Sequence, residues 1–241
     1  MQQIYNLVMP NKRARQVEAL AATELMRGVS GAEVERLAAR WIPKTLPAGT
    51  VLFNTQQTSD GAYVIVRGTI KLHVEQWNGK DVFIDLVGAR DLVGEMSIVE
   101  NSQRSATART LEETDVLWIE GAAFQELLTT TPRVAQNVMR ILSARLRAAN
   151  ERIQAFARLD VKLRVARQLL IFADKYGARQ AGGVTLQLRL TQGDLADLVG
   201  ATRERVNQGL GELRRAGLIF IDSNNVITLC DLDALTRLVK A

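Results

Sequence analysis

The chain has 241 residues and a mass of 26.7 kDa, 47% hydrophobic and 24% charged, an ordinary composition with room for one large domain or two small ones. One cysteine, Cys230, and one histidine, His73, exclude a disulfide framework, cysteine-held iron–sulfur clusters, His/Cys zinc sites and most nucleophile–histidine catalysis, so a binding protein is expected and not an enzyme. The formal charge is +5, with 18 basic against 17 acidic residues in 1–157 and 13 against 9 in 158–241. That places the excess in the last third, the footprint of a nucleic-acid module or of a merely soluble basic surface.

No apolar run approaches the roughly 18 residues that span a bilayer, and 1–15 lacks the charged-then-apolar order of a signal peptide. A cytoplasmic chain without membrane contact is expected, with residues 1–19 as an extension carrying Lys12, Arg13 and Arg15. From 46 to 119 the pattern is short strands and turns. Ile70, Leu72 and Val74 alternate with Lys71, His73 and Glu75, and Val82, Ile84 and Leu86 repeat the period of a half-buried strand. Asn78-Gly79 between them signals a tight hairpin, and Gly49, Gly61, Gly68 and Gly88 punctuate an antiparallel barrel or roll. His73 falls on the polar face and is expected in solvent.

Within the roll, Gly94-Glu95-Met96-Ser97 and Arg104-Ser105 read as a phosphate cassette. Glycine permits close backbone approach, and a short helix after it points N–H groups at an anion. Arg104 supplies a planar cation, and Ser105 a hydroxyl donor. Glu95 is suited to accept from a ribose hydroxyl; its plainer use is a surface carboxylate paired with Arg104.

Pro132 suits the first turn of a helix. Ala135, Met139, Leu142, Leu146, Ala149, Ile153 and Phe156 follow at spacings of four and three, a heptad seam for a parallel helix dimer or a stripe covering the chain's own roll. Arg140, Arg145, Arg147 and Arg152 lie off the seam and are expected in solvent. Asp160 caps the next helix, which ends near Tyr176-Gly177, and a loop at 180–183 leads to a strand over 184–190. Thr191-Gln192-Gly193-Asp194 opens a short helix as a capping-box variant, Gly200 makes a turn, and Thr202 caps a second helix. There Val206, Leu210 and Leu213 face inward, and Arg203, Glu204, Asn207 and Gln208 outward. Strands over 218–221 and 226–229 follow, giving a winged helix-turn-helix.

Arg203 suits guanine O6 and N7, Glu204 the cytosine N4 donor, and Asn207 or Gln208 adenine or phosphate. Thr191 and Gln192, at a helix N-terminus, are placed to hold a backbone phosphate. The other use of such a face is a protein-binding winged helix.

Gly94-Glu95 with Arg104-Ser105-Ala106, the hinge Leu159-Asp160-Val161, and Leu198-Val199-Gly200-Ala201-Thr202-Arg203-Glu204-Arg205-Val206 occur in an order that resembles the cyclic-AMP receptor protein and fumarate–nitrate regulator family of bacterial transcription factors. The resemblance runs from about Leu20 to the end. It implies an α+β fold: a jelly-roll-like cyclic-nucleotide-binding β-roll at 20–131, a dimerisation helix at 132–158 and a winged helix-turn-helix at 159–241. It implies further that Glu95 holds the ribose 2′-hydroxyl and Arg104 and Ser105 the cyclic phosphate of cyclic AMP. Homodimerisation through 135–156, double-stranded DNA, RNA polymerase and an activator role follow from the same likeness. Where the cyclic-AMP-responsive type has a Thr-Ser pair touching adenine, this chain has Ala149 and Asn150, and a third base-reading position holds Gln208 in place of arginine. The open alternatives are another ligand or none for the roll, and a nucleotide-sensing subunit that does not bind DNA.

Overall fold

The computed structural model describes residues 12–75, 81–188 and 190–240; the Asn78-Gly79 turn lies outside them. Helix α1 (Lys12–Ala21), a short turn at Glu24–Met26 and α2 (Gly31–Ala38) come first, with Ser30 Oγ accepting from the Glu33 N–H to cap α2. Leu20, Leu25, Met26, Val34 and Leu37 are buried, and the Gln16 amide donates to the carbonyls of Ala38 and Trp41. Residues 12–19, expected as part of an extension, are thus helical and tied to the fold.

Eight strands follow: β1 (Ile42–Leu46), β2 (Val51–Phe53), β3 (Gly61–Arg67), β4 (Ile70–Glu75), β5 (Asp81–Val87), β6 (Leu92–Val93) and, after the one-turn helix α3 (Glu95–Val99), β7 (Thr107–Thr110) and β8 (Thr114–Glu120). They form two sheets, ordered β1-β8-β3-β6 and β2-β7-β4-β5. Strand β3 explains the layering. Tyr63 and Ile65 join Phe53, Ile70, Val93 and Ala108 in one apolar cluster. Ala62 and Val64 join a second, with Leu20, Leu37, Trp41, Phe124 and Val134. Both faces of β3 are therefore covered, and alternation between water and core disappears from it.

The same double covering corrects the reading of His73, which is buried. It pairs with Thr107 in β7, itself buried and hydrogen-bonded to Thr55, while Leu72 pairs with buried Ala108 on the opposite face. Strand β5 also departs from its expected face: Val82 and Ile84 are exposed, and Phe83, the largest apolar group there, is buried.

Helix α4 (Gly121–Thr130) leads to α5 (Pro132–Arg158), with proline at the first helical position. Val134, Asn137 and Val138 are buried, and the Asn137 amide donates to the carbonyls of Leu25 (2.9 Å) and Arg27 (2.8 Å). On another face Met139, Leu146 and Ile153, seven residues apart, are 59%, 63% and 65% exposed.

By contact the chain divides into two units, Met1–Val74 with Leu86–Arg145, and Glu75–Asp85 with Leu146–Ala241. In the second, Arg152 donates to the Ile84 carbonyl and reaches Asp85 (3.4 Å), so this arginine is engaged by protein and not left to water. Asp160 caps α6 (Val161–Tyr176) through the Leu163 N–H (2.8 Å). Gly177 does not end the helix in a left-handed cap; its backbone is extended and starts strand β9 (Gly177–Gln180). A β-carbon there would lie 2.2 Å from the Ala173 carbonyl oxygen and 2.3 Å from Val184, so glycine lets the strand begin directly against the helix. The expected loop at 180–183 is a tight connection to β10 (Gly183–Leu186), shorter than the expected strand. Then come α7 (Gln192–Val199), α8 (Arg203–Arg215), β11 (Ile219–Ile221), β12 (Ile227–Leu229) and α9 (Leu232–Lys240), with the sheet ordered β11-β12-β10-β9. Cys230, after β12, is exposed.

Candidate functional site

The cassette of the first unit is built around two buried charges. Gly94 precedes α3 with φ +84°, and a β-carbon on it would meet Arg104 Nη1 at 2.6 Å, so the position needs glycine for both conformation and space. Arg104 is clamped at the backbone by Gln56 N–H to its carbonyl and by its own N–H to the Gln57 carbonyl. Its Nη1 donates to the Gly94 carbonyl (2.7 Å) and Ser97 Oγ (3.0 Å). Its Nη2 donates to Asp60 Oδ1 (2.7 Å) and the Gly61 carbonyl (2.6 Å). All four Nη hydrogens are used, the guanidinium carbon lies 4.1 Å over the Phe53 ring, and the buried Nε has no hydrogen-bond partner among the described residues.

Glu95 is fully buried and does not pair with Arg104. Its Oε1 accepts from Arg145 Nη1, and its Oε2 is buried without a hydrogen-bond partner among the described residues. Burial pushes the carboxyl above its usual range, against the opposing pull of Arg145. Arg145 also donates to the Leu92 carbonyl, so it is a half-buried partner of the cassette and not the solvated side chain expected. Its signal was present in the sequence: Val134, Val138, Ile141 and Arg145 follow at spacings of four and three on the α5 face beside the seam, the face that packs on the core. Asp60 and Phe53 had no such signal, because only the fold brings their loops to Arg104.

Gly94, Glu95, Met96, Ser97, Arg104 and Ser105, all expected in one site, do converge with Arg145 on one cavity of about 50 Å³. Ser97 also lines a second cavity, of about 710 Å³, but no charged residue lines that one, so it offers nothing to neutralise a phosphate. Ala149 and Asn150 are exposed on α5 and belong to the second unit.

In the second unit the capping box at Thr191 is complete: Thr191 Oγ1 accepts from the Asp194 N–H (3.0 Å), and the Asp194 carboxylate accepts from the Thr191 N–H (3.3 Å) and hydroxyl (2.5 Å). The Thr191 hydroxyl is thereby committed to its own helix. Gln192 stands half-buried beside it. Thr202 caps α8 through the Arg205 N–H, while Val206, Gly209, Leu210 and Leu213 form its buried face. Arg203, Glu204, Asn207 and Gln208 are exposed together on the other side. The Glu204 carboxyl is held below its usual range by its own backbone N–H and then by the Thr202 hydroxyl. Gln208 reaches Glu212 one turn on (3.4 Å).

Among the described residues there is no group of His, Cys, Asp and Glu suited to a metal, and no helix long and apolar enough to cross a membrane. Residues 43–131 match the cyclic nucleotide-binding domain family, and residues 163–238 the Crp-like helix-turn-helix domain family. A CRP-like cAMP-activated global transcriptional regulator of Mycobacterium tuberculosis is 29% identical over 220 residues, 91% of this chain and 98% of the relative. The structure of FixK2 from Bradyrhizobium japonicum has a TM-score of 0.74 at 19% identity, covering 83% of this chain and 98% of that one, a likeness of fold alone. A CRP/FNR-family transcriptional regulator of Thermus thermophilus has a TM-score of 0.64 at 27% identity, covering 83% and 99%. With a cyclic nucleotide-binding roll followed by a Crp-like helix-turn-helix, the chain belongs to the cyclic-AMP receptor protein and fumarate–nitrate regulator family of transcription regulators.

Proposed function

We propose that the protein is a homodimeric regulator that binds cyclic AMP in the roll and a near-palindromic operator through α8. The observation that carries this reading is the convergence of buried Arg104 and buried Glu95 on one cavity behind Gly94, cation and acceptor in the pairing that a cyclic phosphate and a ribose hydroxyl need. Residues 20–131 hold the ligand, 132–158 pair the two copies and 159–241 bind DNA. The exposed row of Met139, Leu146 and Ile153 supports a seam between two α5 helices. Arg203 and Glu204 read base edges, Asn207 and Gln208 extend that face, and Gln192 lies toward the backbone. Two recognition helices then fit major grooves about 34 Å apart. Contact with RNA polymerase and an activator role follow from the family likeness.

A cavity of about 50 Å³ is far below the roughly 300 Å³ of small ligand pockets, so binding has to open the cassette and release Arg104 from some of its protein acceptors. The ligand shifts DNA binding only by its preference for the opened state. Calorimetry with cyclic AMP on wild type and Arg104→Ala tests the site. Binding to wild type and none to the variant is expected; equal binding to both overturns the assignment. A second reading, a different nucleotide or other effector, is favoured by Ala149, which offers no side-chain hydrogen bond to a base. Tighter binding of another cyclic nucleotide than of cyclic AMP would select it.

A further inference from the structure

Phe156 sits at a junction that neither the cassette nor the base-reading face uses. It is the last apolar residue of the α5 seam, two residues before the helix ends at Arg158. Its ring lies against the backbone of Gly200, where an added methyl would be 3.3 Å from Cε1 and 3.5 Å from Cζ. Gly200 holds φ +60°, the left-handed cap that ends α7, and α8 starts three residues later at Arg203. Glycine is needed there twice, for the conformation and for the space the ring takes.

The same ring carries the Arg164 guanidinium 5.4 Å from its centroid. Arg164 Nε is buried with no hydrogen-bond partner among the described residues, and the Phe156 ring is an aromatic face within cation–π range of its guanidinium. In the same turn of α6, Lys162 reaches Glu212 of α8 (3.4 Å), and its Cα would be 3.3 Å from a methyl placed on Gly209 of α8. Two short routes, through the Gly200 turn and through the first turn of α6, therefore run from one ring to the recognition helix. The ring remains 44% exposed, and that remaining surface is at a seam position.

We propose that Phe156 is the positioning residue that passes the packing of the α5 seam to α8. The proposal rests on the homodimeric, ligand-switched reading above. A second copy docking on the seam covers the free part of the ring. Because the other part faces a residue with no side chain, across a space too tight to take a methyl group freely, a shift of the ring toward that turn meets backbone and not a yielding side chain. The displaced backbone is the turn that aims Arg203 and Glu204.

Coupling between two sites is reciprocal, so it is read from either ligand. Cyclic AMP is titrated calorimetrically into the full-length dimer, free and bound to operator DNA, for wild type, Phe156→Ala and Phe156→Tyr. Wild type is expected to bind cyclic AMP about 5–150-fold more tightly when on DNA, the usual span of such coupling. In Phe156→Ala, titrated at a concentration where light scattering shows the dimer, that ratio falls to near one; Phe156→Tyr restores it. A purely structural role lowers DNA affinity with and without ligand in parallel and leaves the ratio intact, which would overturn the proposal. A wild type with no coupling would overturn the ligand-switch reading, and this proposal with it.

Discussion

Glu95 shows how a single residue ties stability to pH. Its carboxyl is raised by burial, with Arg145 offsetting only part, so the folded state holds the proton more tightly than the unfolded chain. The resulting stability is fully present below the ordinary carboxyl value of about 4.3 and is lost as pH rises through the raised folded value. Glu95→Gln has no such loss. The difference in Tm, variant minus wild type, is expected to grow more positive as pH rises from the ordinary carboxyl range, followed by thermal unfolding at several pH values; a constant difference would contradict the burial account. That Glu95 and Arg104 stand together was legible from the cassette itself, a glycine before a short helix with an arginine close behind, and the two line one cavity. Their partners were not. Asp60 and Arg145 lie 44 and 50 positions away in sequence, and no local period links a turn aspartate to the arginine it clamps.

At the scale of elements, helices with side-chain caps were readable and strands covered on two faces were not. Asp160, Thr191 and Thr202 each stand where a cap was expected, because a hydroxyl or carboxylate satisfying free N–H groups is a local chemical requirement. The inward pattern of β4 failed at His73, since period-two reading assumes that one face is wet, whereas β5 keeps its alternation at Val82–Ile84 but turns Phe83 inward. Helix α9 went unread although Leu232, Leu235 and Leu238 share a face, and Leu235 is fully buried. Thr191→Ala removes the side-chain half of the capping box, leaving the Thr191 backbone N–H to donate to Asp194, and is expected to cost about 0.5–2 kcal/mol, measured by denaturant unfolding. Ile153→Glu places charge in the seam at a position 65% exposed in one copy. A folded monomer by light scattering, with unchanged circular dichroism, is the expected outcome; an unchanged dimer would remove the seam from the interface.

For the molecule as a whole, the uneven charge is the property with the clearest reach. Residues 158–241 carry 13 basic against 9 acidic residues, and the remainder of the chain is close to neutral. Association with DNA is therefore expected to weaken steeply with salt, with log K falling linearly in log salt concentration, whereas cyclic nucleotide binding in a buried cassette is expected to change far less. Fluorescence anisotropy across a salt series, with and without cyclic AMP, checks both. A flat DNA series would point to a winged helix that meets protein.

The lone cysteine offers a consequence of a different kind. Cys230 is exposed after β12, and no other thiol exists in the chain. A spin label attached there marks the DNA-binding unit at one point per copy with no prior mutagenesis. In a homodimer the two labels form one pair, whose separation pulsed electron resonance reads as a single distance distribution. Adding cyclic AMP then turns the spacing of the two wings into a measured length, and a distribution that does not change would exclude rearrangement of those wings as the basis of the response.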